Sequence, residues 1–281
     1  MPFIQTKSNL TMFYNIVGTG DKTIVMIHGA GSTSRHWPMQ LRALVKAGFR
    51  VLTYDNRGHG ATPGTEGLYS IELLAQDLEE LLEALGIEEK VCLCGISMGG
   101  LIAQEFMIRN PDKVTAAILS NTYSFLGYDF IAAAVGADPE TLKQCELTPE
   151  LMHEALSKGY VENWDAAAHM MMASDILMST ELGKDLFFDD MVIQTQEERI
   201  KTNSATGAYD SRSRLEKIKC PVLIIGSDRD MIVPFAESAY LHEHIAGSRY
   251  VVMENMNHVP TMDAPEIFNR HMLDFLTGVY A

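Results

Sequence analysis

The sequence predicts an α/β fold: a mostly parallel eight-stranded sheet flanked by helices, with an inserted helical cap. Three features predict it. Between residues 18 and 121, short runs rich in Val and Ile alternate with longer stretches of helical period. After residue 214 the same alternation resumes, so the two segments are expected to share one sheet. Between them, residues 123–213 read as helices alone, broken at Pro139, Pro149 and Gly183.

Taken in order, residues 3–6 and 11–17, separated by Ser8 and Asn9, predict an antiparallel hairpin at one edge of the sheet. Residues 24–28, 50–54, 91–96 and 114–120 are continuous apolar runs, the pattern of parallel strands buried on both faces. Ile71, Leu74, Ala75, Leu78, Leu81, Leu82 and Leu85 recur at helical spacing and stop at Gly86, a natural helix terminator. An apolar helix containing Leu101, Ile102, Phe106 and Met107 follows the run at 91–96. Strands at 222–225 and 249–253, a helix around 235–245 and a last helix over 265–276 complete the core. The expected organisation is a core of residues 1–122 and 214–281 around a cap of residues 123–213. Met170, Met171 and Met172 within the cap suit either filler beneath a helical layer or an adaptable apolar pocket wall.

Composition narrows the function. The 281 residues are 47% hydrophobic and 21% charged, which fits a globular chain and excludes disordered or fibrous classes. With 22 Lys and Arg against 37 Asp and Glu, the net charge is −15, which argues against nucleic acid or anionic membranes as partners. No run approaches the roughly 20 apolar residues of a membrane span, and MPFIQTKSNL has no leader pattern. A soluble cytoplasmic protein is expected, acting on a small molecule and compatible with a homodimer. The four cysteines form no disulfide framework; Cys92 and Cys94 lie inside a buried strand, with no further ligands at zinc-like spacing, so no metal is expected.

The chemistry concentrates at Gly95-Ile96-Ser97-Met98-Gly99, which joins a buried strand to an apolar helix. This is the strand-turn-helix context of a nucleophile elbow, where the serine sits in strained backbone and its neighbours must be small. A serine hydroxyl needs a histidine base oriented by a carboxylate. Of nine histidines, His258 follows the strand at 249–253, while Asp228 and Asp230 both follow the strand at 222–225. The order Ser, Asp, His is the one that elbow chemistry uses. An oxyanion also needs two backbone amides. Met98 supplies one, and the loop His28-Gly29-Ala30-Gly31-Ser32 supplies the other, through Ala30. His28 itself reads as structural, bonding loop backbone.

These pieces, IVMIHGAGSTSRHW, VLTYDNRGHGAT, LEALGIEEKVCLCGISMGGLIA, VTAAILSNT, CPVLIIGSDRDMIVP and NMNHVPTMDAPE, resemble the α/β-hydrolase superfamily from the hairpin to the last helix. The resemblance implies Ser97 as nucleophile, Asp230 as acid, His258 as base, Ala30 and Met98 as oxyanion donors, a cap after the sixth strand, and no cofactor. It prefers Asp230 over Asp228 because the family's acid commonly precedes an apolar stretch and Pro, here Met231 to Pro234. The alternative acid position holds Asn121, which cannot serve. Asp55, Arg57 and His59 resemble a structural loop of the family. Gly29, Gly31, Tyr123, Met171 and Val259 are the expected substrate contacts.

Within the superfamily, GISMGG and LSNT are most similar to small carboxylesterases and lactonases, 3-oxoadipate enol-lactonases in particular, so hydrolysis of a small ester or lactone through an acyl-enzyme is expected. Carbon-carbon bond hydrolases and cofactor-free haloperoxidases share the serine constellation, and a ligand receptor on the same fold could keep it. Serine at position 97 argues against haloalkane dehalogenases and epoxide hydrolases, which place Asp there. A dinucleotide-binding reading of Gly29 to Ser34 fails because Ser34 stands at the third glycine, no Tyr-x-x-x-Lys pair occurs, and Ser97, Asp230 and His258 go unexplained. Residues 123–213 carry 16 acids against 6 Lys and Arg, which predicts a neutral rather than strongly anionic substrate.

Overall fold

The computed structural model of the chain describes residues 2–159 and 194–281. Among them, one sheet contains β1 (Phe3–Gln5), β2 (Thr11–Val17), β3 (Lys22–Ile27), β4 (Phe49–Tyr54), β5 (Val91–Ile96), β6 (Val114–Ser120), β7 (Val222–Ser227) and β8 (Arg249–Met253). The order across the sheet is β1-β2-β4-β3-β5-β6-β7-β8. β1 and β2 pair antiparallel, as do β2 and β4; every later pair is parallel. The expected hairpin is present, closed by the Thr6 amide on the Leu10 carbonyl at 2.9 Å. Asn9 takes the left-handed turn position at φ 63°, which Asn tolerates better than most residues.

Alternate strand residues face two separate helical layers, which is why these strands read as unbroken apolar runs. Val25, Ile27, Leu93, Ala117, Leu119 and Ile224 pack with α2 (Ile71–Ala84) and α3 (Met98–Arg109). Ile24, Met26, Cys92, Cys94, Ile118 and Ile225 pack on the other face with α1 (Pro38–Lys46) and the long C-terminal helix over Pro265–Val279. Ser70 caps α2 by accepting the Leu73 amide at 3.1 Å, and Gly86, at φ 65°, ends it where the spacing predicted. The helix α1, which the apolar pattern did not single out, begins at Pro38, where the ring's fixed φ suits a first turn.

The chain leaves the sheet after β6 and returns at β7. The intervening insertion carries α4 (Tyr128–Val135), α5 (Pro139–Leu142), α6 (Pro149–Gly159) and α7 (Gln196–Ala208). Pro139 and Pro149 each start a helix, whereas Gly183 and Met170 to Met172 lie outside the described residues. A small cluster of its own, Phe125, Ile131, Ala132, Leu142 and Met152, holds the first three of these helices together. Both crossings of the chain are fastened to α3. Gln104 donates to the Tyr123 carbonyl at 2.9 Å and accepts from the Ser211 hydroxyl at 2.9 Å, while the Ser211 amide donates to the Ser124 carbonyl at 3.0 Å. On the opposite side, Glu198 of α7 bonds the Tyr69 hydroxyl in a notch beside Gly58 and Gly64, where a Cβ at either glycine would overlap its carboxylate. Among the described residues, no helix is long and apolar enough to cross a membrane.

The remaining helices are α8 (Phe235–His244), α9 (Pro260–Asp263) and α10 (Pro265–Val279). Because β5, β6, β7 and β8 are neighbours and parallel, the loops after them gather at one edge of the sheet, where open α/β sheets bind ligands.

Candidate active site

Ser97 stands between β5 and α3 at φ 53° and ψ −121°, a conformation that costs a non-glycine residue on the order of 1–3 kcal/mol. Its surroundings hold it there. The Ser97 amide donates to the Ser120 carbonyl at 3.0 Å, and the Ser97 carbonyl accepts from the Thr122 hydroxyl at 2.8 Å and the Gly100 amide at 2.9 Å. The smallness predicted around it is a steric demand: a Cβ at Gly95 would overlap the Gly99 carbonyl, one at Gly99 the Ile27 carbonyl, and one at Gly100 the Thr122 side chain. The Ser97 residue is partly exposed at the N-terminus of α3, whose dipole favours negative charge.

Beside it runs the loop after β3. A Cβ on Gly29 would lie 3.3 Å from the Ser97 Cβ, so this loop reaches contact distance of the serine. The Ser32 amide closes a turn on the Gly29 carbonyl at 3.3 Å, with Gly31 at φ 72°, leaving Ala30 at the corner. Two histidines fix this turn. His28 is fully buried; its Nε2 accepts the Asn56 amide at 2.9 Å and its Nδ1 donates to the Gly29 carbonyl at 2.8 Å, the loop-bonding arrangement its position predicts. His59 donates from Nδ1 to the Arg57 carbonyl at 2.9 Å, and its Nε2 receives the Gly31 amide at 3.3 Å and the Gln194 side-chain amide at 3.2 Å. Burial first, then the neighbouring His28, push the His59 pKa down to about 3, so it serves as a neutral acceptor. Asp55 accepts the Ser34 and Ala61 amides at 2.7 and 2.8 Å, and Arg57 pairs with Asp77, the behaviour of a structural loop.

His258 and Asp230 come from the loops after β8 and β7. The His258 Nδ1 lies 2.8 Å from one Asp230 oxygen and 3.0 Å from the other. A carboxylate can only accept, so the proton sits on Nδ1 and Nε2 is the basic nitrogen. Asp230 Oδ1 also accepts the Ile232 and Val233 amides, both at 2.9 Å. Burial alone would raise the carboxyl's pKa, but the His258 charge and hydrogen bond, the Asn121 amide and the Val233 amide outweigh it and hold it below the usual range. Of the two acids the sequence left open, Asp228 points elsewhere: it is exposed and accepts the Asn255 amide at 2.6 Å, tying the β7 loop to the β8 loop. Asn257 Oδ1 accepts both the His258 amide at 2.9 Å and the Met231 amide at 3.3 Å, a staple that the sequence did not identify.

The expected substrate contacts distribute unevenly. Gly29 lies against Ser97. Gly31 directs its amide to His59. Tyr123 is buried and donates its hydroxyl to the Thr206 carbonyl of α7 at 3.1 Å, joining the insertion's two ends. Val259 is buried among the residues under the sheet, directly after His258. Met171 lies outside the described residues. Among the described residues, no three His, Cys, Asp or Glu side chains converge as metal ligands.

A family model described as "Serine aminopeptidase, S33" matches residues 18–265. The chain is an α/β-hydrolase. It belongs to that family, which the sheet order and the Ser97 turn independently fit. This α/β-hydrolase is 29% identical over 278 residues to 3-oxoadipate enol-lactonase 2 of Acinetobacter baylyi, covering 96% of both chains. It is also 29% identical over 274 residues to a protein of Agrobacterium fabrum named as a carbamate hydrolase, RutD, covering 94% of this chain and 98% of that one. The crystal structure of the enol-lactonase from Burkholderia xenovorans superposes with a TM-score of 0.79 at 27% identity, covering 98% of this chain and 100% of the other. These likenesses extend over the insertion as well as the sheet. They place the chain among hydrolases without choosing its substrate.

Proposed function

We propose that this α/β-hydrolase cleaves a small, uncharged carboxylic ester or lactone through an acyl-enzyme, with Ser97 as nucleophile, His258 as base and Asp230 as its orienting acid. The observation that carries the reading is the Asp230 to His258 Nδ1 contact. It fixes the tautomer whose Nε2 can take a proton.

In this mechanism Ser97 Oγ attacks the carbonyl carbon while His258 Nε2 takes the hydroxyl proton. The amides of Met98 and Ala30 hold the oxyanion, and removing one such donor typically costs on the order of 10²–10³ in rate. Collapse expels the alkoxide, which takes the proton from His258. Water, deprotonated by the same nitrogen, then attacks the acyl-enzyme; collapse breaks the bond to Ser97 Oγ, which takes the proton back from His258 as the acid is released. A lactone follows the same steps and leaves a hydroxy acid. Residues 1–122 and 214–281 form the catalytic core in this reading, and residues 123–213 form the cap over it.

The similarity to a lactonase and to a protein named as a carbamate hydrolase supports acyl transfer at a carbonyl, and the insertion's acidity supports a neutral substrate. A serine-directed phosphonate tests the nucleophile: one adduct at Ser97, and Ser97→Ala losing on the order of 10³-fold or more in kcat/KM with the fold retained. An adduct elsewhere, or near-normal turnover by Ser97→Ala, would defeat the proposal. A competition among esters, lactones, thioesters and a dienoic diketone, scored by kcat/KM, tests the bond class.

A further inference from the structure

Asn121 occupies the first position after β6, between the Ser97 turn and the β7 loop. Its backbone takes φ 45°, and its amide donates to the Ile225 carbonyl at 2.8 Å. Asn tolerates this left-handed conformation better than most residues. The side chain is 1% exposed, and its polar atoms are used on both sides. Nδ2 donates to Asp230 Oδ2 at 3.0 Å and to the Ser227 hydroxyl at 2.9 Å, while Oδ1 accepts from the Ser120 hydroxyl at 2.9 Å. The amide cannot be reversed, because a carboxylate offers no proton to an amide oxygen.

We propose that Asn121 is a positioning residue for the hydrolytic site, holding the Asp230 carboxylate in the orientation and charge state that His258 requires. The inference rests on the triad reading above. Asp230 Oδ1 is fixed by the Ile232 and Val233 amides, so rotation about the carboxyl is restrained on that oxygen by backbone. On Oδ2 the restraint besides His258 is Asn121. Of the groups bonded to Asp230 in the described structure, His258 alone is ionisable; the others are amides. Asn121 therefore draws charge from the carboxylate without adding any. Losing this donor makes Asp230 more basic, which strengthens its hold on protonated His258.

Two variants separate positioning from mere support, assayed by hydrolysis of p-nitrophenyl acetate across pH. Asn121→Gly suits the left-handed backbone and deletes the donor. Its acid limb of kcat/KM is expected to move up by roughly half a pH unit, with a loss of about tenfold in kcat from a less ordered carboxylate. Asn121→Asp keeps the shape but puts a second carboxyl against the first. Its acid limb is expected to move higher and to spread over two ionisations, as interacting carboxyls and imidazole titrate together. The downfield proton resonance of His258 Nδ1–H should shift in both variants. Acid limbs and resonance identical to those of the parent chain, with activity falling only as far as the melting temperature does, would overturn the positioning role alone. Should Asp230→Asn in parallel keep full activity, the triad reading fails and this inference falls with it.

Discussion

Asp230 faces the Nδ1–H of His258 with both carboxylate oxygens, at 2.8 and 3.0 Å, whereas Asp228 turns away to accept the Asn255 amide at 2.6 Å. One Asp-x-Asp turn thus contains an acid aimed at the histidine and an acid that joins two loops. Chain order alone could not separate them, because both follow β7.

Asp230→Asn should therefore lower kcat by a factor on the order of 10⁴, since an amide in that place favours the wrong histidine tautomer. Asp228→Asn should cost less than about tenfold and show mainly in stability, as one loop hydrogen bond is worth roughly 1 kcal/mol. Steady-state kinetics on a short activated ester, with melting curves for both variants, checks the ranking. Asp230 has a depressed pKa in the fold, so its contribution to stability is present above the ordinary carboxyl range and disappears as pH falls through the folded value.

The elbow glycines give a second expectation. Gly99→Ala would drive a methyl group into the Ile27 carbonyl at the junction of β3 and β5, where backbone cannot yield without moving Ser97. A loss of several kcal/mol is expected, at the upper end for single substitutions. Gly278→Ala, in α10 with open space around it, should instead stabilise the chain by roughly 0.5–1 kcal/mol. Urea midpoints of the two variants should move in opposite directions.

Much of this was legible in the sequence, for identifiable reasons. Strands β5 and β6 carry side chains into apolar layers on both faces, so their limits at 91–96 and 114–120 stand as plain, largely apolar runs. The glycines around Ser97 mark a crowding that no other residue meets. By contrast, α1 is short, with Gln40 and Leu44 as its buried positions, and that pattern is too sparse to announce a helix. Asn121 and Asn257 each bond a chain neighbour but also reach a distant partner, Asp230 and Met231 respectively, and Asn is equally at home in an ordinary turn. The role of His59 likewise emerges only when Gly31 and Gln194 are brought to one nitrogen.

His59 makes the acid side of stability a measurable quantity. It stays neutral in the fold down to about pH 3, while in the unfolded chain it takes a proton near its ordinary value of 6.5. Between those limits the unfolded state binds more protons, so stability should fall as pH falls, by up to about 1.4 kcal/mol per pH unit from this residue. His59→Gln removes the titration and should flatten the dependence of the urea midpoint between roughly pH 6 and 4. An equally steep slope in the variant would assign the acid sensitivity to other groups. Its effect on turnover should be modest and should appear in kcat, through the Gly31 amide.

The charge of the substrate is the last expectation, and here sequence and structure bear on each other. Residues 123–213 carry 16 acids against 6 Lys and Arg, a large part of the chain's net −15. Arg212, a basic residue that could offset that field locally, is already engaged: its guanidinium bonds Asp210 at 2.6 and 3.0 Å and lies 4.0 Å over the Phe125 ring. Lys201 is likewise paired with Glu197 and Glu198. With these two cations matched by local acids, an approaching carboxylate is expected, on the proposed reading, to meet net repulsion, which salt screens over about 10 Å at 0.1 M. Matched pairs of neutral and carboxylate-bearing esters should accordingly differ most at low ionic strength, the neutral member having the higher kcat/KM. Added salt should narrow the gap by raising the rate of the anionic member. If the anionic ester is favoured at low salt and loses that advantage at high salt, the site is locally basic, and an enol-lactonase-like preference for a carboxylate substrate would replace the neutral one.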